Sequence, residues 1–264
     1  MITKADIDQG HAFHWGKTTQ DYAVYRPGYP ESFYTILHAI GIGRPGQAIL
    51  DLGTGTGVLA RAFARRGASV IGLDIATEQI VAAQQLAGQE HLHIQFMTCA
   101  AEEADFPAQA FDVISCGQSW LYFDKDVMIP RVKAWLKPGG RLLLTHLSWL
   151  PRKDRIAQAS EQLVLRYNPQ WTDADFPGSR TIQHAWSTRD FKLVTYHAYE
   201  EGLPFTRDSW RGRIRACRGI GASLSAEEVA RFDREHATLL QQMTEEAFTV
   251  LHQIWFHAYE LLNS

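Results

Sequence analysis

The chain has 264 residues, of which 45% are hydrophobic and 21% charged, the profile of a folded globule large enough for one sizeable domain. Its formal charge of -3 gives no electrostatic reason to expect nucleic acid or an anionic membrane as a partner. No window approaches the apolar length that spans a bilayer. The N-terminal "MITKADIDQGHAFHWGKTT" lacks the apolar core of a signal peptide. Cys99, Cys116 and Cys217 stand far apart, without zinc or redox spacing. No metal is expected, and a reduced, cytoplasmic protein is.

In chain order, "YAVYRPGYP" (22–30) comes first; as a short helix it would set Tyr22 and Arg26 four apart on one face. From 48 to 150, short apolar strands alternate with amphipathic helices, the pattern of a parallel sheet. "AILDL" (48–52) is a strand, "GVLARAFARRG" (57–67) a helix, "SVIGLD" (69–74) a strand, and "TEQIVAAQQLAG" (77–88) a helix with Thr77 placed to cap it. Strands follow at "HIQFMTC" (93–99) and "FDVISCG" (111–117), then a helix near 125–136 and the strand "RLLLTHL" (141–147). "KPGG" (137–140) marks a helix stop and a tight turn. Residues 151–190 carry few strand signals and two or three helices. A strand is expected at 191–199, helices near 207–217 and 225–244 with Ser225 as the second cap, and a last strand at 247–259 that closes the sheet.

The densest signal is "ILDLGTGTGVLA" (49–60), a strand running into Gly53, Gly55 and Gly57. A strand, a glycine turn and a helix N-terminus put backbone N–H groups beside one crevice at the carboxyl ends of parallel strands, where nucleotide-like ligands bind. The dinucleotide fingerprint wants its third glycine where Val58 stands; here it comes one residue early, at Gly57. Asp51 precedes the first glycine, and a carboxylate there repels a pyrophosphate but accepts hydrogen bonds from an ammonium. Spacing and acid both point away from NAD.

"DLGTGTG" resembles the first motif of the class I S-adenosylmethionine-dependent methyltransferases. "GLD" (72–74) matches the acidic end of their second strand, "AAEEADFPAQAFDVISC" (100–116) their approach to the fourth, and "LKPGGRLLL" (136–144) the turn before their fifth. With "YAVYRPGYP", the chain is similar to the type 11 methyltransferases over residues 22–147. The resemblance implies a Rossmann-like, doubly wound α/β fold: a seven-stranded, mostly parallel sheet with helices on both faces, plus a helical cap insertion. It implies a single domain over 1–264, divided into an N-terminal lid (1–30), a cofactor-binding core (31–150), a cap (151–190) and closing strands and helices (191–264).

The implied cofactor is S-adenosyl-L-methionine. Gly53 and Gly55 would let backbone pass close to its methionine portion, Thr54 and Gly57 would complete the binding turn, and Asp51 would accept hydrogen bonds there, directly or through water. Asp74 would hold both ribose hydroxyls, since one carboxylate can accept from two donors. Ile75 would pack on adenine, and Ala101 and Glu102 would touch the adenine edge; many relatives have an acid where Ala100 stands. Gln118 follows strand four at the same end. Arg26 suits the methionine carboxylate and Tyr22 the reacting methyl, unless Arg26 and Pro27 merely end the lid helix.

Methyl transfer needs alignment, and for some acceptors a base. Many relatives carry a histidine where Leu121 stands, so His146 after strand five is the alternative base; its other reading is a hydrogen-bonded structural residue. Arg211, Arg215 and Arg218 share a helical face, read as a solvated basic face paired with acids such as Glu200 and Glu201 rather than as an anion site. "WFHAYEL" near the end reads as core strand rather than as a cage for a cation. The fourth strand ends in "CGQS", unlike the motif of nucleobase methylation, so the implied acceptor is a small molecule. The competing hypothesis is a non-catalytic cofactor-binding or regulatory module of the same fold.

Overall fold

A computed structural model describes residues 7–179 and 181–262. The first six residues of the expected lid, Arg180 of the cap and the last two residues of the closing segment lie outside that description. The elements in chain order are α1 (Thr19–Tyr25), α2 (Glu31–Ala39), β1 (Ala48–Leu52), α3 (Val58–Arg65), β2 (Ser69–Asp74), α4 (Thr77–Gln89), β3 (Ile94–Thr98) and β4 (Phe111–Gly117). They continue with α5 (Lys125–Trp135), β5 (Leu136–Trp149), α6 (Arg155–Tyr167), β6 (Phe191–Thr206), α7 (Arg207–Arg215), α8 (Ala226–Met243) and β7 (Ala247–Leu261), with short 3-10 turns between.

The strands form one mixed seven-stranded sheet in the order β3-β2-β1-β4-β5-β7-β6. The β1–β2, β2–β3, β1–β4 and β4–β5 pairings are parallel, with Asp51 beside Gly72 on one side and Ser115 on the other. The strand order reverses at β1, so its carboxyl end opens a crevice between β2 and β4. The seven-stranded, Rossmann-like expectation holds. β7, expected to close the sheet, is inserted between β5 and β6.

Two details of the sequence reading are corrected. Thr77 is the first residue of α4, and the cap position belongs to Ala76, which makes no side-chain cap bond. "KPGG" does not separate helix from strand. β5 already pairs at Leu136 with Phe111, and the segment forms an irregularity before Arg141 pairs with Val113, with Gly139 at φ +75°. A bulge lets the strand begin at once and still absorb the extra residues.

The chain divides into two compact units. The first, residues 28–147, 179–199 and 254–262, holds the parallel strands and their crossover helices. β1 is apolar throughout except Asp51, and Ile49, Leu50 and Leu52 are fully buried, as a central strand covered on both faces requires. Its core runs through Leu50, Ile114, Leu142, Met128, Val132 and Trp135.

The second unit, residues 7–27, 148–178 and 200–253, packs α1, α6, α7 and α8 around Trp210, Ile214 and Phe232, all fully buried. Ser225 caps α8 in a reciprocal capping box with Glu228, and Thr206 does the same for α7 with Ser209. The basic face of α7 is matched by carboxylates, while Glu200 pairs with Lys153 instead. Arg211 and Arg215 both reach Asp233, Arg215 also grips Asp21, and Arg218 is buried against Asp8 at 2.7 Å. These acids lie far off in sequence, where only tertiary contact brings them.

Close approach of α1 to α7 depends on Gly212, where an added Cβ would fall 2.0 Å from the Tyr25 ring. Gly212→Ala is therefore expected to destabilise this unit by about 2–3 kcal/mol through overpacking. A lowered denaturation midpoint checks it; an unchanged midpoint would mean that Tyr25 moves aside at no cost.

Candidate functional site

The glycine turn after β1 is built from left-handed residues: Gly53, Gly55 and Gly57 have φ of +66°, +56° and +77°. At Gly53 a side chain is excluded twice over, by that φ and because its Cβ would lie 2.5 Å from the Ser119 Cβ. The turn is stitched to β2 by the Thr54 amide, which donates to the Leu73 carbonyl at 2.9 Å. Ser119, just beyond β4, donates to the Leu52 carbonyl at 2.6 Å and closes the other side. Ser119 closes the "CGQS" in which the fourth strand ends, and a small polar residue there is the signal available in the sequence.

Asp51 is 1% exposed, and its two oxygens accept from Thr54 Oγ1 at 2.6 Å and Ser115 Oγ at 2.7 Å. Burial pushes its carboxyl up to about 6, against those two hydrogen bonds, and nearby Asp74 adds to the rise. Asp74, at the end of β2, accepts from the Gly55 amide on one oxygen and the Ala76 amide on the other, both at 2.9 Å. Burial raises its carboxyl as well. Among the described residues no cation pairs with either acid. Two half-desolvated carboxylates side by side are unfavourable alone, and they suit a ligand that brings a positive charge and hydroxyl donors. Each Asp74 oxygen keeps a lone pair beyond its backbone bond.

Ile75, next to Asp74, is 61% exposed, an apolar side chain open beside the acid. Ala101 is buried, whereas the Glu102 carboxylate accepts from the Asp124 amide at 2.9 Å and so helps to begin α5. Gln118 has φ +61°, a strained conformation for a non-glycine residue, held by its amide to the Thr145 carbonyl and by its side chain to the Leu147 carbonyl. His146 stacks on Trp255 with ring centroids 4.8 Å apart. Burial, with His257 and His184 nearby, pushes its ring down to about 3, so it is neutral at pH 7 and a weak proton acceptor.

The first unit thus brings together Asp51, Gly53, Thr54, Gly55, Gly57 and Asp74 around one turn, with Ile75, Ala101, Glu102, Gln118 and His146 in the same unit. Tyr22 and Arg26 belong to the second unit, where the Arg26 guanidinium lies 4.5 Å from the Tyr22 ring centroid. α1 ends at Tyr25, and the Arg26 amide donates to the Tyr22 carbonyl, so the expected short helix is present.

Comparison with known proteins agrees with this geometry. Residues 49–140 match a methyltransferase domain family. A ubiquinone biosynthesis O-methyltransferase of Leptothrix cholodnii is 30% identical over 197 residues, covering 69% of this chain and 83% of that protein. The chain belongs to the class I S-adenosylmethionine-dependent methyltransferases. The matched family segment of this methyltransferase chain runs from β1 to the start of β5, the part that carries Asp51 and Asp74. A ubiquinone biosynthesis O-methyltransferase of Bradyrhizobium diazoefficiens is 33% identical over 128 residues, 48% of this chain and 50% of that protein. The chain thus spans about half the length of several of the curated relatives it matches. A methyltransferase from Thiobacillus denitrificans, solved with S-adenosyl-L-homocysteine, shares the fold with a TM-score of 0.52 at 18% identity, covering 94% of this chain and 98% of that one. Among the described residues, no helix is long and apolar enough to cross a membrane.

Proposed function

We propose that this chain catalyses S-adenosylmethionine-dependent methylation of a small molecule in the cytoplasm. The observation that carries this reading is the pair of carboxylates, buried Asp51 and half-buried Asp74, set around a glycine turn with no cation among the described residues to match them. The cofactor, when bound, supplies an electrophilic methyl group on a sulfonium. Asp51 would accept hydrogen bonds from its ammonium, directly or through water. Asp74 would accept from both ribose hydroxyls. Ile75 covers a face of adenine, and the main chain at Ala101 and Glu102 reads its edge, because the Glu102 carboxylate is already engaged by Asp124. The roles of Tyr22 at the methyl and Arg26 at the methionine carboxylate rest on the family resemblance alone.

A neutral, weakly basic His146 suits hydrogen bonding to an acceptor better than taking its proton. Acceptors whose nucleophile is already deprotonated at neutral pH therefore fit best. The same weak base also supports the second reading, a cofactor-binding module without catalysis. Calorimetric titration with S-adenosylhomocysteine, with NADH as control, tests the cofactor. Binding of the first alone is expected, with Kd on the order of micromolar. Tight NADH binding instead would overturn the reading. Binding without transfer from labelled S-adenosylmethionine to any member of a small-metabolite library would favour the module.

A further inference from the structure

The segment "RGRIRACR" (211–218) holds four arginines, and three of them are matched by carboxylates. The fourth, Arg213, is not. It is 6% exposed, and among the described residues it makes no ion pair; its Nε is buried without a hydrogen-bond partner. What it has instead is an aromatic face, with its guanidinium carbon 4.6 Å from the ring centroid of Trp149. The neighbouring charge is of the wrong sign. Arg26 acts on Arg213 as a like charge, and burial together with that repulsion lowers the guanidinium to about 9. Arg26 has no carboxylate partner among the described residues either, and lies against Tyr22.

A buried guanidinium without an acid is unfavourable in the protein alone. The same chain supplies acids freely to Arg211, Arg215 and Arg218, so the omission at Arg213 is specific to that position. A planar guanidinium resting on an indole offers its N–H fork to a carboxylate or phosphate oxygen pair.

We infer that Arg213, lying on the face of Trp149, is the recognition site for a carboxylate or phosphate group on a small-molecule ligand. The inference goes beyond the methyltransferase reading: the anion belongs to a ligand other than the cofactor, held within the second unit. The ligand class is then acidic metabolites.

The test titrates wild type, Arg213→Met and Arg213→Lys with citrate, succinate and inorganic phosphate, with and without saturating S-adenosylhomocysteine. At least one anion should bind wild type saturably and the methionine variant about tenfold more weakly or worse, with lysine between. S-adenosylhomocysteine should bind both within about twofold. In the absence of ligand, the methionine variant should melt higher than wild type, because an unmatched interior charge has been removed; a purely structural arginine would give a lower melting temperature. Failure of all three anions, equal binding by the methionine variant, or a lower melting temperature overturns the inference. Loss of S-adenosylhomocysteine affinity in that variant would move the anion to the cofactor and overturn the assignment to a separate ligand. Wild type that takes an anion but no S-adenosylhomocysteine would keep the anion site and sink the methyltransferase reading.

Discussion

Asp74→Ala is expected to weaken S-adenosylhomocysteine binding by about a hundredfold. A carboxylate that accepts from two ribose hydroxyls makes two charge-assisted hydrogen bonds, each worth about 1.5 kcal/mol, and about 3 kcal/mol is two decades of Kd. The change also reaches the protein. The Gly55 and Ala76 amides both donate to Asp74, so alanine leaves the glycine turn and the entry to α4 without their shared acceptor. The variant should therefore melt below wild type. Asp74→Asn separates the two effects, because its amide oxygen can still accept from one backbone donor while the charge is gone. An intermediate loss, about tenfold, is expected there. Calorimetry on the three proteins decides the matter, and an alanine variant binding within about threefold of wild type would remove Asp74 from the cofactor site.

Affinity for the same ligand should fall about tenfold between pH 7 and pH 5, and the group responsible is Asp51. Held at about 6, its carboxyl is mostly ionised at pH 7 and only about one-tenth ionised at pH 5. An incoming ammonium favours the ionised form, so binding follows that fraction. The stability effect runs the other way. A carboxyl whose folded value lies above its unfolded one contributes stability below about pH 4, and that contribution is lost as pH rises through 6. Holding it at about 6 instead of 3.8 corresponds to about 3 kcal/mol of cost at pH 7. Asp51→Asn, which can still accept from Thr54 or Ser115, should then be more stable than wild type above pH 6. It should bind S-adenosylhomocysteine weakly, and with no pH dependence between 5 and 7. A wild-type affinity that stays level from pH 7 to pH 5 would show that Asp51 does not meet the ammonium.

These two acids were legible in the sequence, and so was most of the frame around them. An apolar run such as "AILDL" can be buried on both faces only as a central strand, and the alternation with amphipathic helices leaves a parallel sheet as the economical answer. Glycine at 53, 55 and 57 announces a left-handed turn because few other residues tolerate one, and the structure has all three there. Local chemistry also placed Ser225 as a cap, since its partner Glu228 lies only three residues on.

Tertiary structure decided what depends on distant partners. Whether an arginine is a solvated charge, half of an ion pair or an unmatched cation depends on which acids the fold carries to it. Asp8, Asp21 and Asp233 reach Arg218, Arg215 and Arg211, and none reaches Arg213. Helical spacing sets Arg211, Arg215 and Arg218 on one face apart from Arg213, but it does not say which acids meet either face. His146 is similar: a strand-end histidine reads as a base until Trp255, more than a hundred residues on, is found stacked against it in a setting that keeps it neutral. The insertion of β7 between β5 and β6 is of the same kind, because strand order is a property of pairing between segments rather than of any one of them. The sequence by itself determined the sheet, the glycine turn and the acids that line it; burial and long-range pairing alone decided the charge state of each group and which cation was left without a partner.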